Sequence, residues 1–190
     1  MNTIELPFEY LAAAVLSASH QDVRFYLCGV MVGNGLVAGT NGHTAVIIQD
    51  DGLKDIPEII IPRETIEWLI KKVRKSNIRK FTAHISDLEG MDGTKIIKLD
   101  NGKGWFEYEI FKPIDGKFPH VMRVLVIRDQ SAAVAPMFNF DYIKLMAEAG
   151  KILTGSPVST IRAFYGEKEN EAVYFPLATN CHGLIMPMRT

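Results

Sequence analysis

The chain has 190 residues, 47% of them apolar and 23% charged, with a formal net charge of −1. That balance is ordinary for a globular protein and gives no compositional ground for binding nucleic acid or an anionic membrane, so any such contact must come from where the charges lie. No apolar run approaches the roughly 20 residues of a membrane span, and the start Met1-Asn2-Thr3-Ile4-Glu5-Leu6 has neither a basic flank nor a long apolar core, which predicts a cytoplasmic protein.

A first unit spans residues 3–50. Pro7 suits a first helical turn, and Phe8 to Ser19 reads as a helix with Leu11, Val15 and Leu16 on one stripe. Val23 to Val32 alternates and reads as a strand. Asn34-Gly35 is a tight hairpin signal, because both residues tolerate positive φ. Leu36 to Thr40 and Thr44 to Gln49 are strands on either side of the turn Asn41-Gly42. A second unit spans 58–112. Glu58 to Ile61 is a strand, Glu64 to Lys75 a helix with Ile66, Leu69, Ile70 and Val73 on its apolar side, and Arg79–Ile85, Lys95–Leu99 and Trp105–Phe111 are strands. The connector 113–137, which begins Pro113-Ile114-Asp115-Gly116-Lys117-Phe118-Pro119, shows no regular pattern, and a connection of that length usually has a role. A third unit follows, with a helix from Phe140 to Leu153 stopped by Gly155-Ser156-Pro157, then strands over Thr160–Tyr165, Glu171–Leu177 and Gly183–Met188. Cys28 and Cys181 lie far apart in apolar segments and are expected to be buried thiols in a reducing compartment.

The three units share a pattern. Leu6-Pro7-Phe8-Glu9-Tyr10-Leu11, Ile61-Pro62-Arg63-Glu64-Thr65-Ile66 and Phe138-Asn139-Phe140-Asp141-Tyr142-Ile143 each place an acid fourth and an aliphatic sixth at a helix start. A repeated strand–helix–strands block argues for a modular architecture rather than one catalytic fold. Glu9, Glu64 and Asp141 then sit where a helix dipole stabilises carboxylates, which explains them better than acid–base catalysis does.

Little else points to chemistry. Gly33-Asn34-Gly35-Leu36-Val37-Ala38-Gly39 lies between strands and lacks the spacing of a phosphate cradle. His20, His43, His84, His120 and His182 form no zinc-ligand spacing, so neither metal nor cofactor is expected. Lys71, Lys72, Arg74 and Lys75 cluster at the end of the second helix, and Lys144 and Lys151 lie on the third. Such cations complement a helix C-terminus, or they form a surface that meets phosphates without reading bases. In the tail, Met186 and Met188 alternate onto one face and Pro187 marks an edge strand. That strand either seals its own core or walls an apolar groove for a peptide.

Three stretches carry a family resemblance: His20-Gln21-Asp22-Val23-Arg24-Phe25-Tyr26-Leu27-Cys28-Gly29, Thr40-Asn41-Gly42-His43, and Ile59-Ile60-Ile61-Pro62-Arg63. They resemble the middle domain of the bacterial sliding clamp, the beta subunit of DNA polymerase III. Gly116-Lys117-Phe118-Pro119 with Arg123-Val124-Leu125 resembles that domain's exit, and Met186-Pro187-Met188-Arg189 the clamp's C-terminal end. The resemblance implies an α+β DNA clamp fold of three strand–helix–strands units. One complete clamp domain would cover 1–126 and a half domain 133–190, a shortened form expected of a phage or mobile element. It further implies a non-enzymatic processivity factor that encircles double-stranded DNA and tethers DNA polymerase or repair proteins through a hydrophobic peptide pocket. The matching pocket positions are Leu27, Thr40, Gly42, His43, Thr44, Ala45, Pro119, Arg123, Val124, Leu184, Met186, Pro187, Met188 and Arg189.

The chain departs from the family at Thr44, where Arg is common, and at Thr190, where Leu is common. The first helix has no Lys or Arg between Leu6 and Ser19, whereas the family lines its hole with basic helices. Gln21 and Arg24, with Lys71 to Lys75, are the remaining phosphate-facing candidates, joined by Lys144 and Lys151. An odd third unit leaves a sheet edge that favours self-association, with four copies completing a twelve-unit ring or two copies meeting through their third units. The alternative is a binding module or decoy that captures clamp-binding peptides without forming a ring. A hydrolase using His43 or His84 is the third class of function weighed.

Overall fold

The computed structural model describes residues 3–74, 80–125, 127, 137–157, 162–168 and 170–188. In β1 (Ile4–Pro7) the buried Ile4 and Leu6 alternate with exposed neighbours, the pattern of a strand with one face on a core. The chain passes directly into α1 (Phe8–Ala14), extended by a 3-10 turn over Val15–Ser17. Then come β2 (Gly29–Gly33), β3 (Leu36–Thr40) and β4 (Thr44–Gln49). The second unit repeats the order with β5 (Ile59–Pro62), α2 (Arg63–Val73), β6 (Thr82–Asp87), β7 (Lys95–Asp100) and β8 (Phe106–Phe111). Pro7 and Pro62 sit just ahead of their helices rather than in the first turn. Both keep extended ψ angles, 130° and 141°, and end the strand where the helix begins.

The two units interlock. β1 pairs antiparallel with β6 of the second unit, and β5 pairs antiparallel with β2 of the first. Pro7 lies opposite Thr82 and Pro62 opposite Gly29, so the exchanged strands end at corresponding places. Each unit thus completes the other's sheet, and neither sheet is whole without the exchange.

The third unit contributes α3 (Phe140–Thr154), β9 (Val173–Ala178) and β10 (Cys181–Ile185). Asn139 caps α3 by accepting from the Asp141 N–H at 2.9 Å, and Gly155 ends it at φ 66°. β10 pairs antiparallel with β4, giving a six-stranded sheet ordered β5-β2-β3-β4-β10-β9 beside a four-stranded sheet β1-β6-β7-β8.

Several expected boundaries move. The strand expected over Thr160–Tyr165 is reduced to one bridge between Phe164 and Tyr174, with 158–161 outside the described residues. The last strand ends at Ile185 instead of Met188, because Pro187 has no N–H for a ladder. Val23 to Cys28 is not strand: Leu27 N donates to Arg24 O at 2.8 Å and Cys28 N to Phe25 O at 2.9 Å, closing a 3-10 turn. Cys181 is buried and burial pushes its thiol up to about 11, whereas Cys28 is only half-buried; both are free.

Apolar side chains fill both faces of the six-stranded sheet. On the helix side, Leu11, Ile66, Leu69 and Met146 meet Val30, Val37, Val46 and Ile48. Gly39 is required there, because a Cβ would collide with the carbonyl oxygen of Ala14. On the opposite face, Phe118 and Val121 from the connector cover Met31, Ala38, Ala45, Ile47 and Leu184. Residues 113–125 of the connector are therefore a structural layer that folds around a 3-10 turn at Val121–Arg123.

Two buried polar groups tie units together. Arg63, at the start of α2, donates through Nη1 to Val15 O at 2.7 Å and Ala18 O at 2.6 Å, and through Nε to Glu67 at 2.8 Å. His182 on β10 bonds Tyr174 on β9 and Gln49 on β4, both at 3.0 Å.

Candidate peptide-docking site

The β3–β4 turn is built by its own side chains. Asn41 Oδ1 accepts from His43 N at 2.9 Å and Thr44 N at 2.8 Å, while Thr40 Oγ1 donates to Thr44 O at 2.7 Å. Gly42 takes φ 86°, and the turn lifts His43 outward. There its ring stacks on Tyr142 of α3, centroids 6.4 Å apart and planes 12° apart, while its carbonyl accepts from Met186 N at 2.8 Å. First-unit turn and third-unit tail are thereby fixed against each other.

Beside this turn lies a cavity of about 270 Å³. Its floor is apolar and buried, made by Leu27, Ala45, Val121 and Leu184. Val124 and Met186 stand at the mouth, 47% and 37% exposed. Thr40, Gly42, His43, Thr44 and Pro119 complete the wall with Arg24 and His120. Thr44 is buried and its hydroxyl is spent on Asn41 at 3.2 Å, so it offers the mouth no charge.

Of the expected pocket positions, Leu27, Thr40, Gly42, His43, Thr44, Ala45, Pro119, Val124, Leu184 and Met186 line this cavity. Arg123, which is exposed, and Pro187 and Met188 are not among the lining residues, and Arg189 is outside the described residues. Met188 instead donates its N–H to Met137 O at 2.8 Å. His120 and Val121, the two residues that follow Pro119, also line the cavity, and the only signal for them in the sequence is their position next to Pro119.

Arg24, expected among phosphate-facing groups, lies in the cavity wall. Asp22 accepts from its backbone N–H at 2.8 Å and from Nη2 at 2.8 Å, which holds the Asp22 carboxyl down at about 2. The other cations are dispersed. Lys71 and Arg74 are exposed at the end of α2, with Gln21 exposed on the loop before β2. Lys72 lies 4.4 Å over the Trp68 ring and 3.8 Å from Glu107. Lys144 pairs with Asp141 at 2.9 Å, Lys151 is half-buried, and Lys75 is outside the described residues.

A wider cleft of about 900 Å³ between β1, β6 and the end of α3 mixes the ionisable Glu5, Glu9, Lys80 and Asp100 with Leu6, Tyr10, Phe81 and Leu153. Among the described residues no three His, Cys, Asp or Glu side chains are placed to hold a metal ion, and no helix is long and apolar enough to cross a membrane.

No family model and no curated protein sequence matches the chain. Solved structures do. The DNA polymerase sliding clamp from Pseudomonas aeruginosa with ligand aligns at TM-score 0.64 and 18% identity, covering 99% of this chain and 66% of that one. The DNA polymerase III subunit beta from the same organism aligns at TM-score 0.67 and 16% identity, covering 100% and 66%. The sliding clamp from Bartonella birtlesii bound to griselimycin aligns at TM-score 0.67 and 14% identity, covering 99% and 66%. The chain thus spans just under two thirds of the length of the clamps it matches. With two interlocked strand–helix–strands units and a third joined edge to edge, it has the fold of the bacterial DNA polymerase sliding clamps along essentially its whole length.

Proposed function

We propose that this chain is a non-enzymatic, clamp-like DNA replication factor that docks an apolar peptide in the cavity beside the β3–β4 turn. One observation carries the reading: Leu27, Val121 and Leu184, from three segments far apart in sequence, form the buried floor of a single 270 Å³ cavity. An apolar floor with Arg24, His43 and His120 around it suits a peptide with hydrophobic anchors and a polar flank. The partners are then DNA polymerase or repair proteins that carry such peptides.

Griselimycin, bound by the Bartonella birtlesii clamp and by a Pseudomonas aeruginosa clamp, is the probe. Isothermal titration should give saturable one-to-one binding. Val124→Glu, which sets a charge at the mouth without disturbing the core, should weaken it by about tenfold or more. An intact protein that takes up neither griselimycin nor a clamp-binding peptide at high micromolar concentration refutes the docking reading.

The same proposal extends to duplex DNA, held without base contacts inside a ring of several copies. Gln21, Lys71, Lys72, Arg74, Lys144 and Lys151 would face phosphates. The second reading, a peptide-capturing module that forms no ring, is favoured by one observation: α1 carries Glu9 and no Lys or Arg. Retention on closed circular DNA that is lost on linearisation separates the two.

A further inference from the structure

In the first two units the start of each helix is buried and tied to the other unit. Phe8, the first residue of α1, is 4% exposed, and its N–H donates to Phe81 O of the second unit at 3.0 Å. Arg63, the first residue of α2, is 9% exposed, and its Nη1 donates to Val15 O and Ala18 O of the first unit. The same repeat position in the third unit is Phe140, and it is 77% exposed. The flank that follows shows the same contrast. Leu11, Ala12 and Val15 of α1 are buried, whereas their counterparts Ile143 and Ala147 are only half-buried and Lys144 is exposed. Met137, ahead of α3, is 61% exposed, and the first strand after α3 is reduced, among the described residues, to the single bridge at Phe164. A strand–helix–strands block does not bury its apolar faces alone, and α1, which already packs on α3, leaves this flank open.

We propose that this flank of α3 packs against the same flank of α3 in a second copy of the chain, so that two third units, one from each copy, complete each other as the first and second units do. The occupant follows from the count. What covers the flank in the first two units is another unit of the same block, and one chain holds three of them. A twofold pairing offers the same surface from both sides, so each contact is made twice. Arg63 reaches Val15 across the first pair. By the same spacing Phe140 of one copy falls beside Ala147 of the other, where a small side chain leaves room for the ring, and Ile143 and Lys144 lie next to the axis. The opposing term is the approach of the two Lys144 ammonium groups. Asp141, 2.9 Å from Lys144 within each copy, offsets that repulsion. The pairing is independent of what occupies the cavity.

Sedimentation velocity of the full chain over a wide concentration series, joined to site-directed cross-linking, tests it. The wild type should associate with rising concentration. Phe140→Lys replaces an exposed side chain, so the urea midpoint of the dilute protein should hold, while self-association weakens by about tenfold or more. Lys144→Cys, next to the axis, should give a covalent dimer with a short bis-maleimide, well above the background that Cys28 and Cys181 set in the wild type. Glu64→Cys, at the exposed first turn of α2, should stay at that background. A monomer at every concentration, an association that Phe140→Lys leaves unmoved, or cross-linking at Glu64→Cys as strong as at Lys144→Cys overturns the pairing. Griselimycin titration of Phe140→Lys should match the wild type, so failure here and failure of the docking site give different results.

Discussion

Arg63 is the residue on which the first two units are pinned. Arg63 as a whole is 9% exposed, and its guanidinium gives two charge-assisted hydrogen bonds to the carbonyls of Val15 and Ala18 at the end of the α1 extension. Glu67, one turn along α2, holds the fork in place. Arg63→Met should cost about 3 kcal/mol in urea unfolding, because Ala18 O loses its donor, Val15 O keeps only the Ala18 N–H, and Glu67 loses its cation, while the apolar stem is kept. Arg63→Lys should recover only part, since one ammonium on a flexible stem cannot bond both carbonyls, as Nη1 does, and also the Glu67 carboxylate, as Nε does. An unchanged unfolding midpoint for Arg63→Met would show that water satisfies those carbonyls. In the sequence Arg63 stands in a helix-start pattern and in a stretch that carries the family resemblance; its partners Val15 and Ala18 lie in another unit and leave no local trace.

At the scale of elements, the third unit is held to the first by backbone pairing of β10 with β4 and by the chain of bonds Tyr174–His182–Gln49. Burial pushes the His182 imidazole below its ordinary value. The folded state therefore binds fewer protons than the unfolded one once the pH falls to the unfolded value. Its stabilising contribution is complete above about pH 6.5 and is lost as the pH drops through the unfolded pKa toward the depressed folded one. The urea midpoint of the wild type should fall between about pH 7.5 and 5.5 more steeply than that of His182→Gln. Parallel slopes would remove His182 as the cause.

Local turns were legible in the sequence at this scale: Asn34-Gly35 closes its hairpin at φ 51° and 78°, because the turn needs only those two residues. The lead-strand exchange was not legible, since β1 is completed by β6 of another unit and no pattern within either strand names its partner. Val23, Phe25 and Leu27 imitate a strand by alternating. The Asp22 carboxylate and the Arg24 carbonyl satisfy that backbone locally, and the segment folds into the cavity wall instead. The cavity positions were reached through family resemblance, which carries contacts between distant segments that periodicity cannot.

For the whole molecule, the helix-bearing side decides how DNA would be held. Along it, Lys71, Lys72, Arg74, Lys144 and Lys151 are interspersed with Glu9, Glu64, Glu67, Asp141 and Glu148, and α1 between α2 and α3 adds no cation. Lys72 and Lys144 are already paired with carboxylates. A surface so balanced releases few counterions, and each phosphate contact contributes only about −0.9 to the slope of log K against log salt on duplex DNA. Affinity for linear duplex should therefore be weak and its salt slope shallow. Any stable hold must come from closure around the helix, which salt does not screen. Protein assembled in the presence of nicked circular DNA should stay with the circle in gel filtration at both low and high salt, and leave on linearisation at either. Glu64→Lys, on the exposed first turn of α2, should steepen the slope for linear duplex by about one contact without altering retention on circles. Tight binding of the wild type to linear duplex that collapses with added salt would replace topology with charge as the means of holding DNA. Equal release from circles and linear fragments would leave the peptide-capturing module as the surviving reading.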